Sequence, residues 1–290
     1  MPALIPHAST PRGAVHRLVQ RCRMRGSQAL CWPFAAACQY NMGPENPHFP
    51  AASAQCVQLA VKLRADPRPL ERPVIVFSGY RVPGMFSGQL AGRVAMLTSG
   101  SLDDVRMFAY PHAGDMEPLV NRLARKIGAE FGVDPTDPGQ TSAVDVIGIS
   151  MGGILGRLSA SRSRPRSAGV PRINIRRLFT IASPHTGANL ADRIHIDRAA
   201  SDMRRGSAFL SRLAEWNRID DFELIPYATL NDITVGPENC APEGAHPIWI
   251  RGTRRFAHTT ISMHPAIALD IALRLRGEKP LGAPAPLPTT

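Results

Sequence analysis

Residues 143–160, which read AVDVIGISMGGILGRLSA, carry the most specific structural signal in the chain. The first seven residues are apolar except for Asp145 and rich in β-branched side chains, typical of a strand buried on both faces of a parallel sheet. The apolar stretch 152–160 predicts a helix that follows at once. Gly148, Ser150 and Gly152 stand at the junction in the pattern G-x-S-x-G, which indicates a sharp turn between strand and helix.

A serine at such a turn is a candidate nucleophile for a steric and an electrostatic reason. The turn forces a strained backbone on Ser150, so the elbow residues two positions before and after it, Gly148 and Gly152, must lack side chains. The helix that begins there points free backbone N–H groups at developing negative charge. The alternative is a glycine-rich turn that only allows close packing of strand and helix.

Strands and helices alternate on both sides of this turn. Apolar patterns predict strands at 73–77, 105–110, 143–149, 173–181, 223–229 and 247–250, and helices at 53–65, 117–131, 152–160, 208–216 and 265–275. This alternation predicts an α/β fold with a mostly parallel central sheet flanked by helices. In such a sheet the loops that carry functional residues lie beyond the carboxyl ends of the strands.

The ends of the chain differ in composition from this domain, which we place at residues 53–280. Residues 1–52 are rich in proline, alanine and arginine without a period, which predicts a disordered segment or a leader. The Pro-rich residues 281–290 predict a disordered tail. Residues 188–221 lie between two predicted strands and predict a small cap or lid, whose apolar residues either form an acyl-binding wall or pack a cap helix.

The charge of the chain does not define a partner by itself. There are 34 basic and 23 acidic residues, a net charge of +11, but only three of the basic residues are lysines and the arginines are spread along the chain. Because no zinc-finger, RNP or helix-turn-helix signature accompanies them, we expect no nucleic-acid partner. Contact with a membrane surface stays open. The five cysteines show no CxxC pair and no metal-ligand spacing, so we expect no metal site.

The compartment depends on how the N-terminal segment is interpreted. No apolar run approaches the ~20 residues of a membrane span. A short apolar run from Ala29 to Cys38 follows three arginines and is similar to a lipoprotein leader if translation starts at Met24, although Pro33 interrupts it. We favour a cytoplasmic protein and keep export or a lipoprotein as the alternative. In the exported case Cys56 and Cys240 could pair.

A serine hydroxyl needs a base to accept its proton, and the base needs an acid to hold its tautomer. Behind a G-x-S-x-G turn the chain order is serine, acid, histidine. Asp232 follows the predicted strand 223–229, and His258 follows the strand around Ile250. Both the order and the loop positions therefore select Ser150, Asp232 and His258 as the candidate catalytic triad.

Other titratable residues fit these roles less well. Positions inside a strand or before one are better explained by structure, which sets aside Asp145, Asp220, Asp221 and His246. His264 begins the last helix, where capping or packing explains it. His185 follows the strand that ends near residue 181 and could line the site, but it precedes the acid in the chain.

An acyl-transfer intermediate carries an oxyanion that needs preorganised backbone donors. One donor is expected from the N–H of Met151, directly after the nucleophile. We assign the other to the N–H of Tyr80, in the loop that follows the predicted strand 73–77. The alternative is that this loop is a plain strand-ending turn.

Together these segments resemble the lipase and esterase branch of the α/β-hydrolases, in particular bacterial triacylglycerol-lipase-like and GPI inositol-deacylase-like proteins. The resemblance spans about residues 70–277 and is carried by FSGY (77–80), GISMGG (148–153), SPHTG (183–187) and the order of Asp232 and His258. It implies a hydrolase of small-molecule or lipid carboxylic esters that requires no cofactor. Ile149 and Ser78 stand where members of the branch usually carry histidine.

Two other functions fit the same residues. The triad could pass the acyl group to an alcohol or amine, or cleave a thioester, since these reactions differ only in what reaches the acyl-enzyme. A non-catalytic binding protein on a hydrolase scaffold is the third interpretation. The sequence leaves the acyl chain length, the alcohol portion and the oligomeric state open.

Overall fold

A six-stranded parallel sheet forms the centre of the computed structural model, which describes residues 43–49, 53–80, 84–108, 110, 114–194, 196–219, 221–253 and 256–289. All of these belong to one compact unit, residues 38–290. The strands are β1 (Val74–Phe77), β2 (Val105–Phe108), β3 (Val133–Asp134), β4 (Asp137–Thr141), β5 (Val144–Ile149), β6 (Ile175–Ile181), β7 (Glu223–Thr229) and β8 (Ile248–Ile250). The sheet order is β2-β1-β5-β6-β7-β8, and β3 and β4 form a separate antiparallel pair.

Helices flank the sheet, and the predicted α/β class is confirmed. They are α1 (Ser53–Ala65), α2 (Gly84–Leu97), α3 (Met116–Phe131), α4 (Met151–Ala160), α5 (Asn189–Arg193), α6 (Arg198–Asp202), α7 (Ala208–Trp216), α8 (Ala257–Thr260) and α9 (Pro265–Leu275). Short 3₁₀ turns lie at Leu102–Asp104, Pro237–Asn239 and Ile261–Met263.

The central strands of the sheet are buried, which explains why they could be predicted from runs of mainly apolar residues. Every residue of β1 and of β5 is buried, and so is every residue of α4. A strand covered by helices on both faces has no solvent side that would require alternation of polar residues. The parallel register pairs Phe77 with Gly148, so the loops after β1 and β5 leave the same edge of the sheet side by side.

The predicted cap, residues 188–221, contains three short helices, α5 to α7. Phe209, Leu210 and Leu213 on α7 are buried in the core, and the Ser161 hydroxyl donates a hydrogen bond to the carbonyl of Trp216 (2.9 Å). This part of the segment therefore packs beside the end of α4, as a flanking helix does.

Both ends of the described chain pack against β8. Asn46 donates to the carbonyl of Trp249 (2.7 Å), so residues 43–49 of the predicted leader belong to the folded part, whereas residues 1–42 and 50–52 lie outside the described residues. At the other end the Trp249 indole donates to the carbonyl of Pro286 (2.9 Å), and Ala285 is buried. The expectation of disorder for the Pro-rich tail is corrected: residues 281–289 are held by β8, because proline-rich chain can still supply carbonyl acceptors and apolar contacts.

Two further findings concern the cysteines and the lengths of the helices. Cys56 and Cys240 are both buried free thiols, so the pairing considered for an exported protein is absent. In the described part of the chain, no helix combines the length and apolar character that crossing a membrane requires.

Candidate active site

The sharp turn predicted at Ser150 is present between β5 and α4. Ser150 directly follows the strand, begins the helix as its N-cap, and has φ 53° and ψ −121°. This is an unfavourable conformation for any residue with a side chain and costs of order 1–3 kcal/mol. The hydroxyl oxygen is thereby lifted off the edge of the sheet, while the residue as a whole is only 7% exposed.

The elbow glycines are required by contact distances. A Cβ on Gly148 would lie 2.4 Å from the backbone nitrogen of Gly153, and one on Gly152 would lie 2.4 Å from the carbonyl oxygen of Phe77. Real side chains do not approach backbone so closely, so both positions admit only glycine. The second contact also shows that the loop after β1 packs directly on the turn that holds Ser150.

The structure brings Ser150, His258 and Asp232 into one hydrogen-bonded chain. His258 Nε2 lies 3.1 Å from Ser150 Oγ, and His258 Nδ1 lies 2.9 Å from Asp232 Oδ2. These distances are within the range for a nucleophile, a base and the group that orients the base. The three residues are separated by 82 and 26 positions in sequence and follow three different strands, β5, β7 and β8.

Asp232 is held by backbone donors as well as by the histidine. Its Oδ1 accepts hydrogen bonds from the N–H groups of Thr234 (2.9 Å) and Val235 (3.0 Å), and its side chain is fully buried. The two donors fix the carboxylate plane, so Oδ2 is left to face His258. Oδ2 can then accept a hydrogen bond from the Nδ1–H of His258, which lies 2.9 Å away.

His258 lies in the short helix α8. The N-cap of α8 is Phe256, whose left-handed conformation (φ 59°) turns the chain, and whose carbonyl accepts the N–H groups of Thr259 and Thr260 (both 3.0 Å). This turn places the imidazole beside Ser150 with its side chain 16% exposed. Substrate and water can therefore reach the base.

Backbone strain is concentrated at this edge of the sheet. Among the described residues other than glycine, positive φ occurs at Ser150, Ala182, Asn231 and Phe256. Ser150 and Ala182 directly follow β5 and β6, Asn231 precedes Asp232, and Phe256 lies two residues before His258. Strained residues persist where the surrounding structure dictates their conformation, and they occur preferentially at functional sites.

The two predicted oxyanion donors lie at the same edge. Met151 is the first residue of α4, so its N–H belongs to the helix end that has no acceptor within the helix. Tyr80 lies three residues beyond β1 in the loop that touches Gly152. The arrangement can present an N–H from each side of Ser150 to a bound carbonyl oxygen.

Of the three competing histidines, one is buried, one is partly buried and one is exposed. His185 is buried between Thr180 (2.9 Å to Nε2) and Arg157 (3.3 Å to Nδ1), so it does not line the site. Burial, with a further contribution from Arg157, lowers the pKa of His185 well below 6.5 and keeps it neutral. Burial, assisted by Arg93, lowers the pKa of His264 to about 4. His246 is exposed.

The competing acids lie away from the triad. Asp145 at the start of β5 is buried and accepts hydrogen bonds from Arg177, at 2.6 Å for the shortest, as expected for a structural residue. Asp221 pairs with Arg172 (2.8 Å) and Arg162 (2.6 Å). Asp220 lies outside the described residues.

Sequence reasoning missed the residues that hold the loop after β1. The Tyr110 hydroxyl donates to the carbonyl of Ser78, and the Tyr80 hydroxyl donates to Asp197 Oδ2 (2.6 Å). No local pattern marks either contact, because the partners are 32 and 117 residues apart. Within the described ranges, no group of three or more histidine, cysteine, aspartate or glutamate residues could hold a metal ion.

Comparison with known proteins gives structural likenesses only. No family model and no curated protein matches the chain. Similar solved structures include phospholipase PlaB from Legionella pneumophila in complex with thio-NAD, with 15% identity, TM-score 0.42, and coverage of 54% of this chain and 37% of that one. Lipase BlEst2 from Bacillus licheniformis has 16% identity in both forms. Its propeptide form gives a TM-score of 0.48 with coverage of 77% of this chain and 53% of that one, and its mature form gives 0.46 with 68% and 88%.

The chain therefore covers only about a third to a half of the length of PlaB and of the propeptide form of BlEst2. Its fold class follows from its own architecture. A parallel sheet flanked by helices, with a serine lifted off its carboxyl edge by a G-x-S-x-G turn into a following helix, defines the α/β-hydrolase fold.

Proposed function

We propose that the protein is a serine hydrolase that cleaves carboxylic esters, with lipid esters as its substrates. The observation that carries the proposal is the continuous hydrogen-bonded chain from Ser150 through His258 to Asp232, at 3.1 Å and 2.9 Å. A serine without a catalytic role does not need a base and an orienting acid hydrogen-bonded to it in series. In acyl transfer, each of these two hydrogen bonds has a defined role.

The reaction proceeds in two steps. Ser150 Oγ attacks the ester carbonyl carbon while His258 Nε2 accepts its proton, and Asp232 stabilises the resulting imidazolium through Nδ1–H. The tetrahedral intermediate collapses, the ester C–O bond breaks, and His258 gives its proton to the leaving alcohol. Water then attacks the acyl-enzyme with His258 again as base, which releases the acid and restores Ser150.

The oxyanion of each tetrahedral intermediate is assigned to the N–H groups of Met151 and Tyr80. These backbone donors are fixed before substrate arrives, and donors that need no reorganisation stabilise the transition state most strongly. The helix α4 adds the partial positive charge of its N-terminus beside Ser150.

Exposed apolar side chains next to the triad support a lipid substrate. Ile233 directly follows Asp232 and is 86% exposed, and Phe256 lies two residues before His258 and is 77% exposed. Large apolar groups held in water have a cost of about 25 cal/mol per Å², which burial against acyl chains would recover. Both side chains are largely exposed and lie within two residues of a triad member in the sequence.

The cap segment contributes two more such residues. The N–H of Leu190 donates to the carbonyl of Thr234 (2.9 Å), and Ile196 precedes Asp197, the acceptor of the Tyr80 hydroxyl. We name this set the apolar rim, and it consists of Leu190, Ile196, Ile233 and Phe256. Exposed apolar side chains near the triad residues and on the cap segment support contact of this part of the protein with a lipid surface.

The test of the reaction is labelling with a fluorescent fluorophosphonate, followed by turnover of a p-nitrophenyl ester series. We expect Ser150→Ala and His258→Ala to abolish labelling and turnover. Ser159→Ala and His246→Ala, a buried serine on α4 and an exposed histidine, serve as controls that keep both. A folded wild-type protein that neither labels nor turns over any ester would refute the proposal.

The test of the substrate class uses phospholipid and triacylglycerol emulsions beside a soluble butyrate ester. Ile233→Ser combined with Leu190→Ser should lower turnover of the emulsions at least fivefold and leave the soluble ester within twofold. Val61→Ser, on α1 and 63% exposed, is the matched control. Equal losses on both kinds of substrate would contradict a role for the rim at a lipid surface.

A further inference from the structure

The loop after β1 is fixed at its first residues by the body of the fold. The Ser78 carbonyl accepts the hydroxyl of Tyr110, and Gly152 lies so close that a Cβ there would be 2.8 Å from the same oxygen. Burial raises the pKa of Tyr110 above its usual range, so this hydroxyl keeps the proton that it donates. The Ser78 end of the loop therefore has a single orientation.

The same loop is fixed a second time at Tyr80, by a hydrogen bond to the cap segment. The Tyr80 hydroxyl donates to Asp197 Oδ2 (2.6 Å), while its ring packs against the hydrophobic core. A hydrogen bond of this length to a carboxylate is of the strong, charge-assisted type. Tyr80, the residue whose N–H we assign to the oxyanion hole, is thus held through its side chain.

Asp197 is itself rigid because it is the N-cap of α6. Its Oδ1 accepts the N–H of Ala200 (2.9 Å), and its carbonyl accepts the N–H of Ser201 (3.0 Å). One carboxylate oxygen is committed to the helix and the other to Tyr80. The hydrogen bond between Asp197 and Tyr80 therefore couples the position of the loop after β1 to the position of α6.

We propose that Asp197 is a positioning residue that sets the direction of the Tyr80 backbone N–H in the oxyanion hole. The inference rests on the proposed function and deepens it, because it makes the cap segment a part of the catalytic geometry. A backbone donor is effective only when it points at the position the oxyanion will occupy, so a side chain that fixes its peptide plane controls the rate.

The test separates this hold from the helix cap. Tyr80→Phe removes only the hydroxyl, and Asp197→Ser keeps an N-cap hydroxyl but is too short to reach Tyr80. We expect each to lower kcat for a soluble butyrate ester about tenfold with KM within threefold, since complete loss of one oxyanion donor costs ~10²–10³. Asp197→Asn, whose amide oxygen can keep the N-cap bond to Ala200 while its NH₂ group donates to the Tyr80 hydroxyl, should recover most of the loss.

Ser207→Ala is the matched control for a merely structural effect. Ser207 caps the neighbouring helix α7 by accepting the N–H of Leu210 (3.2 Å), and it belongs to the same cap segment. Its loss should lower the unfolding temperature as much as Asp197→Ser does, while kcat stays within twofold of wild type. The double variant Tyr80→Phe/Asp197→Ser should be no slower than either single variant, because both remove one interaction.

The outcomes distinguish this inference from the proposed function. An active wild type whose folded Tyr80→Phe variant keeps kcat within twofold overturns the positioning role and leaves the hydrolase intact. Losses that multiply in the double variant, or a Ser207→Ala variant as slow as Asp197→Ser, also overturn it. A folded wild type without turnover overturns both.

Discussion

Replacing Asp232 with asparagine removes one charge and tests the roles of all three triad residues. The backbone donors at Thr234 and Val235 dictate how the new amide is oriented. If the amide oxygen takes the Oδ1 position, both N–H bonds survive. The reverse orientation sets the NH₂ group against both donors and leaves the buried N–H of Val235 unsatisfied, which costs about 1–3 kcal/mol, so it is a minor state.

The favoured orientation points the amide NH₂ at His258 Nδ1, which lies 2.9 Å away. His258 must then carry its proton on Nε2, facing Ser150, and cannot accept the hydroxyl proton. A wrong tautomer of this kind lowers kcat by about 10⁴, or about 5 kcal/mol of transition-state stabilisation. Stability should barely change, because the two backbone bonds that order the loop are kept.

The assay is the initial rate of p-nitrophenyl butyrate hydrolysis, with the rate of fluorophosphonate labelling as a second measure and thermal unfolding as the control. Asp232→Ala is the comparison: it should unfold at a clearly lower temperature because Thr234 and Val235 lose their acceptor. An Asp232→Asn protein that hydrolyses the ester within about tenfold of wild type would refute the tautomer argument.

Three further variants test the elbow and the packing of the fold. Gly152→Ala should abolish ester turnover and lower the free energy of unfolding by about 2 kcal/mol or more, since its Cβ would meet the Phe77 carbonyl; wild-type kcat would contradict the contact. Burial alone would raise the pKa of Asp221, but bonds led by the one from Arg172 lower it to about 2. Its stabilisation is therefore present above pH 4 and lost between pH 4 and 2. Asp221→Asn should cost about 1 kcal/mol in urea unfolding at pH 7 and only a small part of that near pH 2, where about half of the folded-state carboxylates are protonated. Deleting residues 281–290 should cost about 3 kcal/mol, because the Trp249 indole loses its acceptor and becomes exposed; an unchanged unfolding temperature would contradict the packed tail.

The fold was predictable wherever apolar pattern and burial coincide. The limits of β7, α7 and α9 agree with the predicted segments because each buries a continuous face in the core. The helix α2 was missed, since glycines at 84, 88 and 92 lower helix propensity. It forms because its buried face, with Leu90 and Val94 at its centre, packs in the core and outweighs that preference.

The candidate site was predictable in its order but not in its supports. Ser150 is marked by a local pattern, and Asp232 and His258 by their places after successive strands, so the sequence sufficed to nominate them. The contacts that hold the loop after β1 join segments that are distant in sequence. No local pattern around Tyr80 or Asp197 predicts the hydrogen bond between them. Such contacts depend on how loops from different strands meet, which periodicity does not encode.

The backbone conformation of Ser150 sets thermostability against reactivity at a single position. Because φ is 53° with ψ −121°, Ser150→Gly would relieve strain of order 1–3 kcal/mol, whereas Ser150→Ala would keep it. The inert glycine variant would therefore outlast the active protein on heating. A screen for heat resistance alone would select against the nucleophile, so improvement of this scaffold has to begin away from its most reactive residue.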